Sequence, residues 1–365
     1  MSDTPTLVQQ LHGRVPIAAL ILTPAAEPFG PVRAALEEIG RVNPHYTKQA
    51  LKRIIDSGAY NDNNDGDDDG GGMDWAYDAY VQMLGVEADY DLEDCVRYTF
   101  GSGPGATAVS LLEKPRVLAA RSTTGFRTWE AALVLSDWML QHREAVAGRV
   151  LELGCGTGLC SLVLLQAGLA QWGCVTDGDD GLVHGQLVRN FELNGAVPGG
   201  ADSVALGGTD SVALGGADSV ALAAEPGSQA ESRADTDSDT EPGIQAQTFA
   251  LPSGSHAVLR RLLWDVDGVP PGVETVIGAD ITFDPTLLNS LCATLRSALV
   301  AGAQACYISA TVRNAETHAG FHRALAEAGL KYTQVHEALS FETPLLRMQR
   351  PALLAPVVIY KIVLE

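Results

Sequence analysis

Basic residues are the scarce class in this chain: 24 Lys plus Arg stand against 45 Asp plus Glu, a formal net charge of −21 over 365 residues. Nucleic-acid phosphates and anionic membrane surfaces repel such a chain, so neither is expected as a primary partner. Cysteine is sparse too. Six residues (Cys95, Cys155, Cys160, Cys174, Cys292, Cys306) are too few for a disulfide scaffold at this length. Several lie in apolar runs, where reduced cysteine acts as a small hydrophobe. Long apolar stretches are missing as well: Val15 to Leu22 stops at Thr23-Pro24, and no segment reaches the roughly 18 apolar residues of a membrane span. These absences lead us to expect a soluble, cytoplasmic protein, and nothing in the sequence calls for an obligate partner, so a monomer is expected. What is present is core material: 46% of the residues are hydrophobic, which excludes global disorder.

The acid is concentrated. Residues 61–74 carry six Asp and no base, and residues 197–256 carry nine acids and Arg233. Outside these two stretches the chain is only mildly acidic. The second stretch contains the repeat ADSVALGG, TDSVALGG, ADSVAL. Fewer than three full copies followed by a Ser/Asp/Thr/Glu run argue against a solenoid and for a disordered insertion over 197–255. Residues 1–120 read as a helical N-terminal extension, with helical patterns over Pro31–Ser57 and Trp75–Leu84 and a hairpin formed by Val96–Phe100 and Ala108–Leu112. Residues 121–365 alternate strand and helix patterns, the signature of a parallel α/β sheet. Helix Thr128–His142, strand Val150–Leu153, helix Leu159–Ala167, strand Gly173–Thr176 and a helical spacing Val183, Leu187, Phe191 precede the insertion. After it come strands Val258–Leu263 and Val273–Ile277, helix Pro285–Ala301, strand Ala305–Val312, helix Thr317–Ala328 and two closing strands.

The most informative stretch is Glu152-Leu-Gly-Cys-Gly-Thr-Gly158, a glycine-rich turn between a strand and a helix. Such a turn lets backbone N–H groups approach a ligand closely. Asp177 ends the next strand, 19 positions after Gly158, where a carboxylate can accept hydrogen bonds from both hydroxyls of a ribose. Two ligands compete for this arrangement. A dinucleotide wants G-x-G-x-x-G, which would put Leu159 where the third glycine belongs. S-adenosyl-L-methionine is the better fit, because a carboxylate at Glu152 would repel a pyrophosphate but suits a sulfonium and an ammonium. A zinc site from Cys155, Cys160, Cys174 and His184 lacks any C-x-x-C and is disfavoured.

The series Thr123-Thr-Gly-Phe-Arg-Thr-Trp-Glu-Ala-Ala132, the glycine loop, Leu263-Trp-Asp265, Gly278-Ala-Asp-Ile-Thr-Phe283 and Thr311-Val-Arg-Asn-Ala-Glu-Thr317 resembles the seven-strand protein-lysine methyltransferases. Thr-Val-Arg-Asn followed by Glu-Thr points to the branch that modifies eukaryotic elongation factor 2. The resemblance implies a doubly wound, seven-strand, mostly parallel sheet of the class I methyltransferase type. It also implies that Trp129, Gly154, Cys155, Gly156, Asp177, Trp264 and Ala279 line the cofactor pocket. By the same token Asp280 would dock and orient the target lysine. At position 283 the family usually has Tyr; here Phe283 keeps the ring and loses the hydroxyl. Three alternatives stay open at this point: the same chemistry on another protein lysine, a nucleotide-binding oxidoreductase, and a cofactor-binding protein without activity.

Overall fold

The computed structural model describes residues 5–22, 27–60, 72–102, 105–115, 124–199, 246–339, 345–346, 353 and 355–365. The N-terminal part is helical: α1 (Leu7–His12), α2 (Phe29–Val42), α3 (Pro44–Ser57) and α4 (Gly72–Gln82), followed by strands β1 (Asp94–Phe100) and β2 (Thr107–Glu113). Local chemistry sets these ends. Thr6 and Gln9 form a reciprocal capping box on α1. Asn43 caps α3 ahead of Pro44 at its first position, and Gly58 closes it. The two strands pair antiparallel from Asp94↔Glu113 to Phe100↔Thr107, as the hairpin spacing predicts.

The remaining chain alternates. In order come α5 (Glu130–Gln141), β3 (Arg149–Leu153), α6 (Leu159–Gln166), β4 (Trp172–Asp177) and α7 (Asp180–Leu182). A π turn (Val183–Leu187) then leads into α8 (Val188–Leu193), β5 (Val197–Pro198), β6 (Ala246–Ala250), β7 (His256–Arg261) and β8 (Thr275–Ala279). The last elements are α9 (Leu288–Val300), β9 (Ala305–Thr311), α10 (Ala315–Glu327), β10 (Leu330–Ala338) and β11 (Val357–Leu364).

These strands form one sheet of order β10-β11-β9-β8-β3-β4-β7-β6-β5. The five strands from β9 to β7 are parallel, and β11 inserts antiparallel beside β9. The seven expected strands are therefore present, extended at one edge by β6 and β5, both antiparallel to their neighbours. That extension corrects the expected insertion over 197–255. Both of its ends, Val197–Pro198 and Ala246–Ala250, are strand, while residues 200–245 and their repeat lie outside the described residues.

Alternation along the strands divides the core between two faces. Tyr307, Val357 and Ile359 belong to a cluster that takes in α5 (Leu133, Leu135), α6 (Leu162, Leu165) and the N-terminal residues Leu7, Leu36, Leu51, Ile54 and Tyr98. Cys306, Ile308, Val358 and Tyr360 belong to the other, with Leu291 and Leu295 of α9 and Phe321 of α10. The N-terminal helices and hairpin thus share a core with the sheet. No helix among the described residues is long and apolar enough to cross a membrane.

The chain leaves β3 for β4 and β7 on one side and returns to β8 and β9 on the other, so the strand order reverses between β3 and β8. In doubly wound sheets ligands bind at the carboxyl ends of the strands beside such a reversal.

Candidate active site

Backbone sterics build the floor of the site. Gly154 has φ +61°, and a Cβ there would come within 2.6 Å of the Ile281 Cγ2 and 3.6 Å of the Trp264 ring. Gly158 has φ +83°, and its Cβ would meet the Leu187 Cδ1 at 2.6 Å. Only glycine accepts both the left-handed conformation and the crowding. The loop is pinned by Cys155 N donating to the Thr176 carbonyl (2.9 Å) and Gly156 N donating to Asp177 Oδ2 (3.0 Å). The other oxygen, Asp177 Oδ1, accepts from Asp179 N at 3.1 Å. Burial pushes the Asp177 carboxyl up from its ordinary value, and these two N–H donors pull it part of the way back.

Glu152 does not face the cavity. It is buried and accepts from the Ser161 N–H (3.1 Å) and the Ser161 hydroxyl, bracing the first turn of α6. Desolvation pushes its carboxyl up to about 7. The expected favourable field of Glu152 on a sulfonium is corrected accordingly: this side chain serves the loop's foundation.

A cavity of about 660 Å³ opens at the carboxyl ends of β3, β4, β7 and β8, within the range of small-molecule sites. Of the sequence-predicted residues, Trp129, Gly154, Cys155, Gly156, Asp177, Trp264, Asp280 and Phe283 line it. Ala279 does not: it ends β8 beside the cavity and packs against the first core cluster. Trp264 follows β7 in a turn whose next residue, Asp265, is left-handed (φ +60°) and donates from its N–H to Thr294 Oγ1. Asp280 is the second left-handed non-glycine at the rim (φ +57°), and strain of this kind is held only where surroundings over-determine it. Phe283 is 54% exposed at the mouth.

Asp280 is buried, and its carboxylate is already engaged. Oδ1 accepts from Thr311 N (3.1 Å), and Oδ2 accepts from Thr311 Oγ1 (3.1 Å) and Arg313 Nη2 (3.0 Å). Burial raises its pKa, and the guanidinium and Thr311 work against that shift. Trp129 donates from Nε1 to the Thr124 carbonyl (3.1 Å), and two guanidiniums lie over its ring, Arg127 at 4.5 Å and Arg313 at 5.1 Å.

A buried polar chain ties the hairpin to the glycine loop. The Glu113 carboxylate accepts from Tyr98 OH (2.9 Å), Thr128 Oγ1 (2.7 Å) and Thr128 N (3.2 Å), and Thr128 Oγ1 meets Thr157 Oγ1 at 2.8 Å. Asn190 Oδ1 accepts from Leu112 N while its Nδ2 donates to the Thr157 carbonyl. Sequence reasoning missed this chain. It also missed Ile281 and Arg127 in the lining, although both sit inside motifs already singled out. Nothing in the local sequence marks Glu113 or Asn190. Among the described residues no group of three or more His, Cys, Asp or Glu side chains is placed to hold a metal.

A lysine methyltransferase family model matches residues 119–206. The chain is 32% identical over 352 residues to the protein-lysine N-methyltransferase EFM3 of Saccharomyces cerevisiae, covering 90% of this chain and 87% of that protein. This chain belongs to the protein-lysine N-methyltransferases. It is also 27% identical over 281 residues to the protein-lysine N-methyltransferase EEF2KMT of Bos taurus, covering 72% of this chain and 67% of the relative. An EFM3 of Chaetomium thermophilum matches at 28% over 267 residues, covering 72% and 66%. The methyl donor of this methyltransferase is S-adenosylmethionine. The structure accommodates it: a cradle at Gly154 that any Cβ would fill, a part-buried carboxylate at Asp177 in the cavity wall, and aromatic surface at Trp264.

Proposed function

We propose that this methyltransferase transfers a methyl group to a lysine of eukaryotic elongation factor 2. The observation that carries the reading is the similarity to EEF2KMT over 72% of the chain, and the similarity to EFM3 runs over 90% of it. An alignment of that extent takes in most of the N-terminal extension, beyond the sheet and glycine loop that any methyl-donor site needs. The order of motifs ending in Thr311-Val-Arg-Asn314 supports the same branch.

In this reading Asp177 would accept from the ribose hydroxyls, Trp264 would offer its face to the adenine, and the close-packed glycine loop at 154–156 would hold the methionine portion beside Trp129. The bound donor supplies a methyl carbon on a sulfonium, open to in-line displacement by a neutral lysine nitrogen. Deprotonating a lysine of pKa about 10.4 at pH 7 costs about 4.6 kcal/mol, so the site must favour the neutral amine. Trp129 and Phe283 strip water from the approaching side chain, and desolvation lowers an amine pKa. Asp280 orients the nitrogen as an acceptor. The proton leaves to water, since a carboxylate is a poor base for an amine. Alignment in a dry channel supplies the rest.

Incubation with tritiated S-adenosylmethionine and a whole-cell lysate tests the assignment. The expected result is one labelled band at the mass of elongation factor 2, with purified factor labelled in the same way; label confined to a different protein overturns the choice of substrate.

A further inference from the structure

We propose that Arg313 is a positioning residue that offsets the charge of Asp280, so that the incoming lysine meets an oriented acceptor and not a bare carboxylate. The inference rests on the methyl-transfer reading above and goes beyond it, because neither the resemblance nor the relatives assign Arg313 a role. The geometry divides the Thr311–Asn314 run into two tasks. Asn314 caps α10, accepting from Glu316 N and Thr317 N. Thr311 and Arg313 turn the other way and place three donors on the Asp280 carboxylate within 3.1 Å. The same Arg313 Nη2 lies 3.1 Å from Glu130 Oε2 of α5, and its guanidinium lies over Trp129. One residue therefore fixes the acid, the ring that narrows the lysine channel, and the helix that carries the ring.

The physical consequence concerns the substrate. A carboxylate within about 4–6 Å of an ammonium favours the charged form, yet only the neutral amine attacks. Asp280 unopposed would bind the ammonium well and then resist its deprotonation. A guanidinium on the same carboxylate, even one shared with Glu130, opposes that field and leaves a lone pair for orientation. The other charged groups around the cavity are Arg127 over Trp129, Glu130 behind Arg313, Asp284 at the start of the turn into α9, Asp177 at the end of β4 and Asp179 just after it. None of these has an oxygen or nitrogen recorded within bonding distance of Asp280; among the described residues its ionic partner is Arg313.

Three variants test this: Arg313→Gln, which removes the charge, Arg313→Lys, which keeps it, and Asp280→Asn, which leaves Arg313 without its carboxylate. For each, kcat is recorded against pH, and the affinity of the protein substrate is measured on enzyme saturated with S-adenosylhomocysteine. Arg313→Gln is expected to move the acid limb of the kcat profile up by about one pH unit. It should also tighten substrate binding near pH 7 while kcat falls roughly tenfold there. Arg313→Lys should keep the limb near its wild-type position. Asp280→Asn should move the limb down and weaken substrate binding. An unmoved limb in an active Arg313→Gln variant, or an equal shift in Arg313→Lys, overturns the proposal. Should Arg313→Gln fail to fold, an unmoved limb in Asp280→Asn overturns it instead. Wild-type protein that labels no lysine at all overturns the functional reading and this inference with it. Wild-type protein that labels another protein overturns only the choice of substrate, and the limb shifts are then read on that protein.

Discussion

Glu152 and Asp177 lie at the carboxyl ends of neighbouring parallel strands, the first buried and the second part-buried, and their oxygens do different work. Those of Asp177 are fixed by two backbone N–H groups at the cavity wall, so Asp177→Ala removes an acceptor for ligand hydroxyls. A hydrogen bond to a charged group contributes about 1.5–3 kcal/mol, so calorimetry should show S-adenosylmethionine affinity falling by roughly 10- to 100-fold. Unchanged affinity would place the ribose elsewhere. Glu152 instead couples the loop to pH. Its carboxyl titrates near 7 in the fold against 4.5 as its ordinary value. Below that ordinary value both states hold the proton and burial costs nothing. As pH rises, the unfolded chain releases its proton first and the fold loses stability, until both states are ionised above 7. From pH 5 to pH 8 the loss is about 2–3 kcal/mol. Glu152→Gln cannot titrate, so urea unfolding at the two pH values should show the variant gaining by that amount relative to wild type as pH rises. Parallel pH dependences in the two proteins would contradict the assignment.

At the scale of elements, periodicity carried most of the fold. The apolar runs that become β9 and β11 and the spacing Val183, Leu187, Phe191 each reflect a burial pattern written in adjacent residues. β6 was illegible because Ala246-Gln-Thr-Phe-Ala250 presents one buried side chain, Phe249, directly after a polar run. It becomes a strand only because β7 offers an edge. α1 was missed for a related reason: six residues hold as a helix through the Thr6–Gln9 box and the contacts of Leu7 and Leu11 in the core. The link between α8 and the hairpin belongs to the same class. Asn190 satisfies Leu112 N and the Thr157 carbonyl, and Asn194, one turn on, satisfies Ser110 N and O. Asn190→Ala strands those two backbone groups at a buried junction. The expected cost is about 2 kcal/mol, read as a lower urea midpoint, with S-adenosylmethionine affinity also reduced because Thr157 lines the cavity. A midpoint that does not move would mean that water replaces the amide.

For the whole molecule, the legible and illegible parts of the site separate by sequence distance. The glycine loop, Asp177 and the two tryptophans announce themselves within short motifs, whereas Asp280 is set by Arg313, 33 residues away, and Thr128 by Glu113 through a fold that brings the extension over the sheet. Long-range polar partners leave no periodicity to read. The same separation bears on the acidic segment 200–245. Its flanks are already antiparallel neighbours: Val197 pairs with Ala250, Pro198 with Phe249, and Gly199 N donates to the Thr248 carbonyl at 2.8 Å. The two ends therefore stand one strand spacing apart at the sheet edge, separated from β3 by β6, β7 and β4. Replacing 200–245 with a four-residue Gly/Ser turn removes nine acids and Arg233, taking the net charge from −21 to −13. Loop closure in a flexible chain becomes cheaper by about 2 kcal/mol on that shortening. The expected outcome is a thermal midpoint equal to or a few degrees above that of the full chain, with S-adenosylmethionine affinity within twofold. A clear drop in either quantity would show that the segment holds β5 and β6 in place, and that the edge of the sheet supports the cavity across three strands.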